Sequence, residues 1–266
     1  MRRLAGTHGA TKSKEVALMN NTKIDWATMS WNPVTGCLHD CPYCYARRIA
    51  QRFSGLDGVG SDGLLELSQR RDHAFPAGFM PTFHKYRLDE PAKKKKPQVI
   101  FVGSMCDLFG DWVPDGWILR VFESCKEAPH HRYLFLTKNP ERYLNLYYKG
   151  KLPEQSNFWY GTTITNQADY ERVWRRLASL PQTCNTYFSI EPMHGEINMG
   201  FMPPWIIIGA ETGNRKDKKI PKREWIESIV LACTEEAVFM KESLRSVWGD
   251  NLIQKYPWGD DYVLQK

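Results

Sequence analysis

The sequence predicts an α/β fold built on a parallel sheet. Two observations predict it. Short runs that are apolar at nearly every position alternate with longer stretches whose apolar residues fall at helical spacing. Strands with no polar face are covered on both sides, as in parallel sheets, and strand–helix alternation implies βαβ units.

In order, Trp26–Trp31 reads as the first strand and Tyr45–Phe53 as the first helix. Ser54–Gly63 holds four glycines and reads as a loop. Pro76, Gly78 and Pro81 interrupt Leu64–Leu88, within which Thr82-Phe83-His84 forms a short extra strand. This stretch, about 54–97, reads as an insertion that either shapes a pocket or covers the surface. It ends in the charge run Lys93–Lys96 and Pro97. Val99–Gly103 is a buried strand; Trp112–Ala128 follows as a helix facing inward through Trp117, Ile118, Val121 and Phe122. Next come strand Tyr133–Thr137, helix Pro140–Tyr148, strand Phe158–Ile164 and helix Gln167–Ser179. Strands Thr186–Ile190 and Trp205–Gly209, helix Trp225–Ala232 and strand Ala237–Met240 close the series. Six main strands, a seventh at the end and one in the insertion give six to eight. Residues 1–22, polar and basic, read as a fraying arm, 23–245 as the main α/β fold and 246–266 as an extension.

The chemistry gathers at Cys37-Leu38-His39-Asp40-Cys41-Pro42-Tyr43-Cys44. These gaps bring three thiolates within reach of one inorganic centre. Thiolates are soft ligands that suit iron–sulfur clusters and zinc. Structural zinc takes four protein ligands, and His39 is the available fourth. A four-iron cluster on three cysteines instead keeps one iron open to a second molecule. Cys125, Cys184 and Cys233 are isolated and read as packing residues.

The spacing Cys37-x3-Cys41-x2-Cys44, with Tyr43 before the third cysteine, resembles the cluster loop of the radical S-adenosylmethionine (SAM) enzymes. Ile24-Asp25-Trp26, Trp31-Asn32-Pro33, Val34-Thr35-Gly36, Phe101–Met105 and Leu136-Thr137-Lys138 extend the likeness, which looks like that of a phage- and prophage-borne branch. The resemblance implies a partial to near-complete TIM-type (β/α) barrel, a [4Fe-4S] cluster on Cys37, Cys41 and Cys44, and SAM on its open iron. It also implies reductive cleavage of SAM to a 5′-deoxyadenosyl radical, fed by an external electron donor. Tyr43 sits where the family's aromatic residue touches adenine. Gly103-Ser104-Met105 takes the place of a Gly-Gly-Glu strand end that binds the SAM amino group. The glutamate is missing here, and Asp107 is its candidate substitute. Ser189 and Glu191 look like ribose or carboxylate contacts. Ile206-x-Ile208-Gly209-x-x-Thr212 weakly resembles an adenine-packing strand, against a reading as plain core.

In a parallel barrel the strand ends share the rim that carries the cysteine loop. Gly103–Asp107, Thr137–Asn139, Thr162–Asn166, Ser189–Pro192 and Gly209–Thr212 supply hydroxyls, amides and carboxylates there. Thr137 and Thr163 are cofactor-binding candidates on this ground, although serine, threonine and asparagine also cap helices. Lys138 and Lys241 can pair with carboxylate or phosphate at the rim, or snorkel to solvent; Lys241 is expected to snorkel. Cys106 is either a hydrogen-atom donor to a substrate radical or a small buried hydrophobe.

Thirty-six basic against 30 acidic residues leave +6, which favours a polyanionic partner. The expected substrate is a nucleobase or a group attached to one in DNA, flipped or single-stranded, modified or isomerised. Moving an amino-acyl substituent from nitrogen to carbon on a modified thymine is one concrete form. Trp112, Trp159 and Tyr160 could stack on bases or pack in the core. The alternatives are a radical SAM enzyme on tRNA or a small metabolite, and a zinc-stabilised binding module without catalysis. Seven cysteines without a disulfide pattern, no signal peptide and no run of 18 apolar residues point to the cytoplasm, the host's if the chain is phage-encoded, and away from membranes.

Overall fold

The runs that are apolar on both faces assemble into one sheet. The computed structural model describes residues 19–54, 63–69 and 75–259. Most of the expected N-terminal arm, most of the glycine-rich loop and the end of the C-terminal extension lie outside these residues. The elements are β1 (Asn20–Asn21), β2 (Met29–Trp31), β3 (Val34–Thr35), α1 (Tyr45–Arg52), β4 (Leu65–Leu67), β5 (Thr82–His84), α2 (Glu90–Lys93), β6 (Val99–Val102) and α3 (Asp115–Lys126). They continue with β7 (Arg132–Thr137), α4 (Glu141–Tyr148), β8 (Phe158–Thr163), α5 (Gln167–Ala178), β9 (Asn185–Ile190), β10 (Trp205–Ile208), α6 (Arg223–Ala232), β11 (Ala237–Met240) and α7 (Arg245–Trp248).

The main sheet runs β1-β2-β6-β7-β8-β9-β10-β11. From β2 to β11 every pairing is parallel, and β1 joins antiparallel. This is a partial TIM-type barrel with seven parallel strands, open between its two ends. Both ends are covered. Asn20–Asn21 pairs with β2 and Met19 is buried in the core, so the described end of the expected 1–22 arm is ordered against the sheet. The 253–255 segment bonds back onto β11 through Met240 N→Ile253 O and Lys255 N→Val238 O. Exposed strand edges invite pairing with other chains, and these short antiparallel segments blunt them.

Alternate residues of each strand feed two apolar layers. Ile100, Val102, Tyr133, Phe135, Ile206 and Ile208 pack under α3–α6, against Trp117, Ile118, Val121 and Phe122 among others. Val99, Phe101, Leu134, Trp205, Ile207 and Phe239 face the other way, with Trp26, Tyr256 and Trp258. Trp159 and Tyr160 are both buried, one in each layer, so neither is free to stack on a base. Cys125 and Cys184 are buried, and Cys233 Sγ lies 3.8 Å from Met202 Sδ, so all three pack as expected.

Several boundaries differ from the sequence-based expectation. The first strand starts at Met29, because Trp26 sits in a turn closed by Ala27 N→Ile24 O and buries its ring beside Phe101 and Trp205. α3 starts at Asp115, after Pro114, rather than at Trp112. Thr82–His84 is a strand, but it joins a separate sheet of order β3-β5-β4. That sheet packs on the barrel by stacking Phe83 on Trp117, centroids 5.2 Å apart. The cysteine loop therefore leaves the barrel's first strand by way of β3.

Candidate functional site: the cysteine loop and the strand-end cavity

Residues 37–44 have almost no regular structure, so their placement depends on anchors from elsewhere. Gly36 enters the loop at φ +89°, and a Cβ there would stand 2.1 Å from the Met80 carbonyl oxygen. Only glycine tolerates both that backbone and that approach. Gly36 N donates to Met105 O and Cys37 N to Phe79 O. From α1, Arg47 Nη2 donates to the carbonyls of His39 (2.7 Å) and Cys37 (3.3 Å). His39 Nε2 donates to Asp107 Oδ2 at 2.9 Å, with its ring edge-on to Trp112. Cys44 caps α1, its sulfur accepting from Arg47 N.

Cys37, Cys41 and Cys44 all line one cavity of about 260 Å³ on the C-terminal side of the strands. Burial pushes the Cys37 thiol up to about 12, and the nearby Asp107, Cys41 and Cys44 add to the rise against a backbone hydrogen bond from His39. Burial also raises Cys41, partly offset by the Lys138 ammonium. Thiols so disfavoured as bare anions become good ligands once a metal carries the charge. Among the described residues, no three His, Cys, Asp or Glu side chains are drawn close enough to hold a single metal ion. A four-iron cube attaches its cysteines to separate irons, so its ligands stand further apart than those of one zinc. Three thiols around one cavity match the number of cysteines that a cube with one open iron requires.

The strand ends build the opposite wall. Gly103, Ser104, Cys106, Asp107, Lys138, Ser189 and Glu191 line the cavity with Tyr43; Thr137 and Thr163 do not. Gly103 turns at φ +82°, and the Asn32 side-chain oxygen accepts from Ser104 Oγ (3.1 Å) and Met105 N (2.9 Å). Asp107 is the hub. Its Oδ1 accepts from Thr137 Oγ1 (2.7 Å) and Phe109 N (3.1 Å), and its Oδ2 from His39 and Lys138 N (3.0 Å). Its own chain thus takes the acceptor positions that a ligand ammonium would use. Lys138 Nζ donates to Tyr43 Oη at 2.9 Å. Burial works against the Lys138 ammonium, but Tyr43, Cys41 and Asp169 together outweigh it and the net shift is upward. Burial drives the Cys106 thiol well above its ordinary range.

Some contributors were missed. Lys241 does not snorkel to solvent; its ammonium pairs with Glu191 in the cavity wall, 14% exposed. Gly209 makes the space, since a Cβ there would come within 2.9 Å of Lys241 Cδ. Buried Glu211 accepts from Arg215 Nε (2.6 Å) and Nη2 (2.8 Å) and from His194 Nε2 (3.2 Å). The Arg215 hydrogen bonds bring the Glu211 carboxyl down to about 2, with His194 adding to the effect. His194 meets the Tyr43 ring edge-on at 5.5 Å. Arg215 four residues after Glu211 was a readable signal; His194 carried none. Ile206 and Ile208 are core, while Thr212 lines the cavity.

Residues 21–250 match the model of a family described as a protein of unknown function, DUF5131. The chain belongs to the DUF5131 family. No curated protein matches this DUF5131 chain in sequence. Among solved structures it is similar to spore photoproduct lyase complexed with dinucleoside spore photoproduct: TM-score 0.45, 13% identity, over 67% of this chain and 49% of that one. A variant of the same lyase with bound AdoMet and the dinucleoside matches with TM-score 0.44 and 12% identity, over 71% of this chain and 57% of the other. The DUF5131 chain thus spans about half the length of these structures. Among the described residues, no helix is long and apolar enough to cross a membrane.

Proposed function

We propose that this chain is a radical SAM enzyme that holds a [4Fe-4S] cluster on Cys37, Cys41 and Cys44 and acts on a nucleobase, or a group attached to one, in DNA. One observation carries the reading: three thiols of a single loop face one cavity at the strand ends of a parallel sheet. Once bound, the cluster would supply one electron to SAM and so release a 5′-deoxyadenosyl radical.

The chain's own residues divide the remaining work. Cys37, Cys41 and Cys44 hold the cluster and leave one iron for SAM. Tyr43, fixed by Lys138 and His194, offers its ring as a wall for the adenine. Gly103 and Ser104 present backbone and hydroxyl to the amino-acid end of SAM, while Asp107 holds the loop rather than the ligand. Ser189 and the Glu191–Lys241 pair face the ribose or carboxylate. Thr137 acts through Asp107, and Thr163 stands off the wall. Cys106, a neutral thiol beside Gly103, is placed to give a hydrogen atom to a substrate radical. Its S–H bond would break homolytically, leaving a thiyl radical for an external donor to reduce. The catalytic unit is the barrel of 23–245, and the 253–255 segment bonds to its last strand.

Anaerobic reconstitution tests the reading. The expected product is a brown protein with about four irons that cleaves SAM to 5′-deoxyadenosine, faster with DNA. Alanine at any of the three cysteines should abolish both iron and cleavage. One zinc and no iron would end the radical reading; equal turnover with and without every nucleic acid tried would end the substrate claim.

A further inference from the structure

Beside the mouth of the cavity lies a rim of exposed cations and apolar side chains. Two elements form it. One is the outer face of α1: Ala46 and Ala50 are buried, while Arg48, Ile49, Arg52 and the following Phe53 are exposed. The other is the β10–α6 loop, where residues 209–222 hold five basic and two acidic side chains. Lys216, Lys218, Lys219, Ile220 and Lys222 are all exposed there. The elements meet where Arg48 Nη2 lies 3.4 Å from a Cβ built on Gly213. Both reach the cavity, because Arg48, Glu211 and Thr212 line its wall.

The chemistry of the rim is mixed in a particular way. Arg48, Arg52, Lys216 and Lys219 have no ion pair among the described residues. The acidic residues on the loop are Asp217 and Glu211, and Arg215 and His194 already engage Glu211. On the same two elements stand exposed apolar groups, Phe53 at 57% exposure and Ile220 at 62%, with Tyr45 at 47% turning its hydroxyl to Ser104 O in the cavity wall. Cations alone would suit any polyanion. Cations spaced with exposed rings suit a strand whose phosphates and unstacked bases alternate. The charge run at Lys94–Lys96 lacks this setting, since it precedes β6 and lies at the opposite end of the strands.

We infer that α1 and the β10–α6 loop form the docking surface for a single nucleic-acid strand, leading a base into the cavity. The inference rests on the reading above and names the phosphate and base contacts of the same site. Arg48, Arg52, Lys216, Lys218 and Lys219 engage the backbone, and Phe53 and Ile220 cover base faces.

The test uses the full-length reconstituted protein and fluorescein-labelled 20-mers: single-stranded DNA, duplex DNA and RNA of the same sequence. With four to five phosphate contacts at about 0.7 each, log K against log salt should slope at roughly −3, or about 60-fold weaker binding from 50 to 200 mM salt. The variant K216Q/K218Q/K219Q should flatten the slope by about 2 and weaken binding at low salt. The matched control K94Q/K95Q/K96Q removes the same charge and should keep the wild-type slope. Duplex should bind more weakly than single strand, and F53A should narrow that gap. Equal losses in both triple variants would reduce the effect to net charge and overturn the inference, as would an unchanged slope in the loop variant or no binding to any strand. Nucleic-acid-independent SAM cleavage, measured alongside, separates the two claims. Its retention in the loop variant leaves the radical reading standing whatever the binding result, and an absence of cleavage in wild type both with and without nucleic acid refutes that reading alone.

Discussion

Replacing Asp107 by asparagine tests whether this carboxylate holds the cysteine loop to the sheet. The new side chain keeps one acceptor oxygen, so the bonds from Thr137 and Phe109 can survive on that side. The amide nitrogen then faces the Lys138 N–H and His39. Two donors cannot bond each other, and a part-buried backbone N–H loses its acceptor, which costs about 1–3 kcal/mol. His39 is 29% exposed and can turn to water or accept from the new amide as its other tautomer, so losing the carboxylate partner adds only about 1 kcal/mol. The expected destabilisation is therefore about 2–4 kcal/mol, read by urea unfolding with tryptophan fluorescence. H39A should cost about 1 kcal/mol in the wild type and less in D107N, because the carboxylate partner is already gone. Amide exchange over residues 38–44 should quicken in both variants. D107N within about 0.5 kcal/mol of wild type, or an H39A cost unchanged by the D107N background, would refute the reasoning.

Three further outcomes follow from other residues. Burial, set against nearby Arg87, lifts the Glu90 carboxyl from its ordinary 4.5 to about 7, with neither oxygen hydrogen-bonded. A carboxyl raised on folding stabilises fully below its unfolded pKa and loses that contribution as pH climbs through 7. The stability of E90Q relative to wild type should therefore improve by roughly 2–3 kcal/mol between pH 5 and 8, and a flat difference in urea melts would contradict this. Glu211 is the opposite case, drawn down to about 2 by Arg215, so its contribution is present above about 4.5 and fades as pH falls toward 2. The thermal-stability deficit of E211Q should be largest near neutrality and shrink in acid. G36A should lose bound iron while retaining the far-ultraviolet circular dichroism of the barrel, because the clash with Met80 falls on the loop and the small sheet.

The long strands were legible because burial on both faces writes an unbroken apolar run, as in Trp205–Ile208. The three-stranded sheet was hardly legible. Strands of two or three residues, such as Val34–Thr35 and Leu65–Leu67, are too short to show a period, and parallel β4 and β5 pair across a gap of fourteen residues. The same asymmetry holds in the site. Three cysteines within eight residues announce themselves, and the polar strand ends follow from topology. The bonds that arrange them do not. His39 and Asp107 are 68 residues apart, and Lys241 and Glu191 are 50 apart. A lone lysine after an apolar strand looks the same whether it reaches solvent or turns inward. Trp159 and Tyr160 stayed open between base stacking and core for a related reason: alternation decides which layer a ring enters, not whether it is exposed.

The cysteine spacing is therefore only part of what specifies the centre. A loop of this kind, with almost no internal hydrogen bonds, pays its ordering entropy through contacts with other segments. Here Gly36 binds Met105 beyond β6, Cys37 binds Phe79 in the insertion, Arg47 reaches back from α1, and His39 reaches Asp107. Asp107 also holds Thr137 and the Lys138 N–H, and Lys138 in turn holds Tyr43. The aromatic residue inside the motif is thus positioned by the strand two places along the sheet. The same chain of bonds couples the loop to the cavity wall, so a change at Thr137 should be felt at Tyr43 without either side chain touching the other. T137V keeps the side-chain shape and removes the donor to Asp107. It should weaken SAM binding, measured by calorimetry on the reconstituted protein, while leaving iron content intact. T137V binding SAM as wild type does would show that Asp107 keeps its place without Thr137, and the coupling would then have to run through the backbone alone.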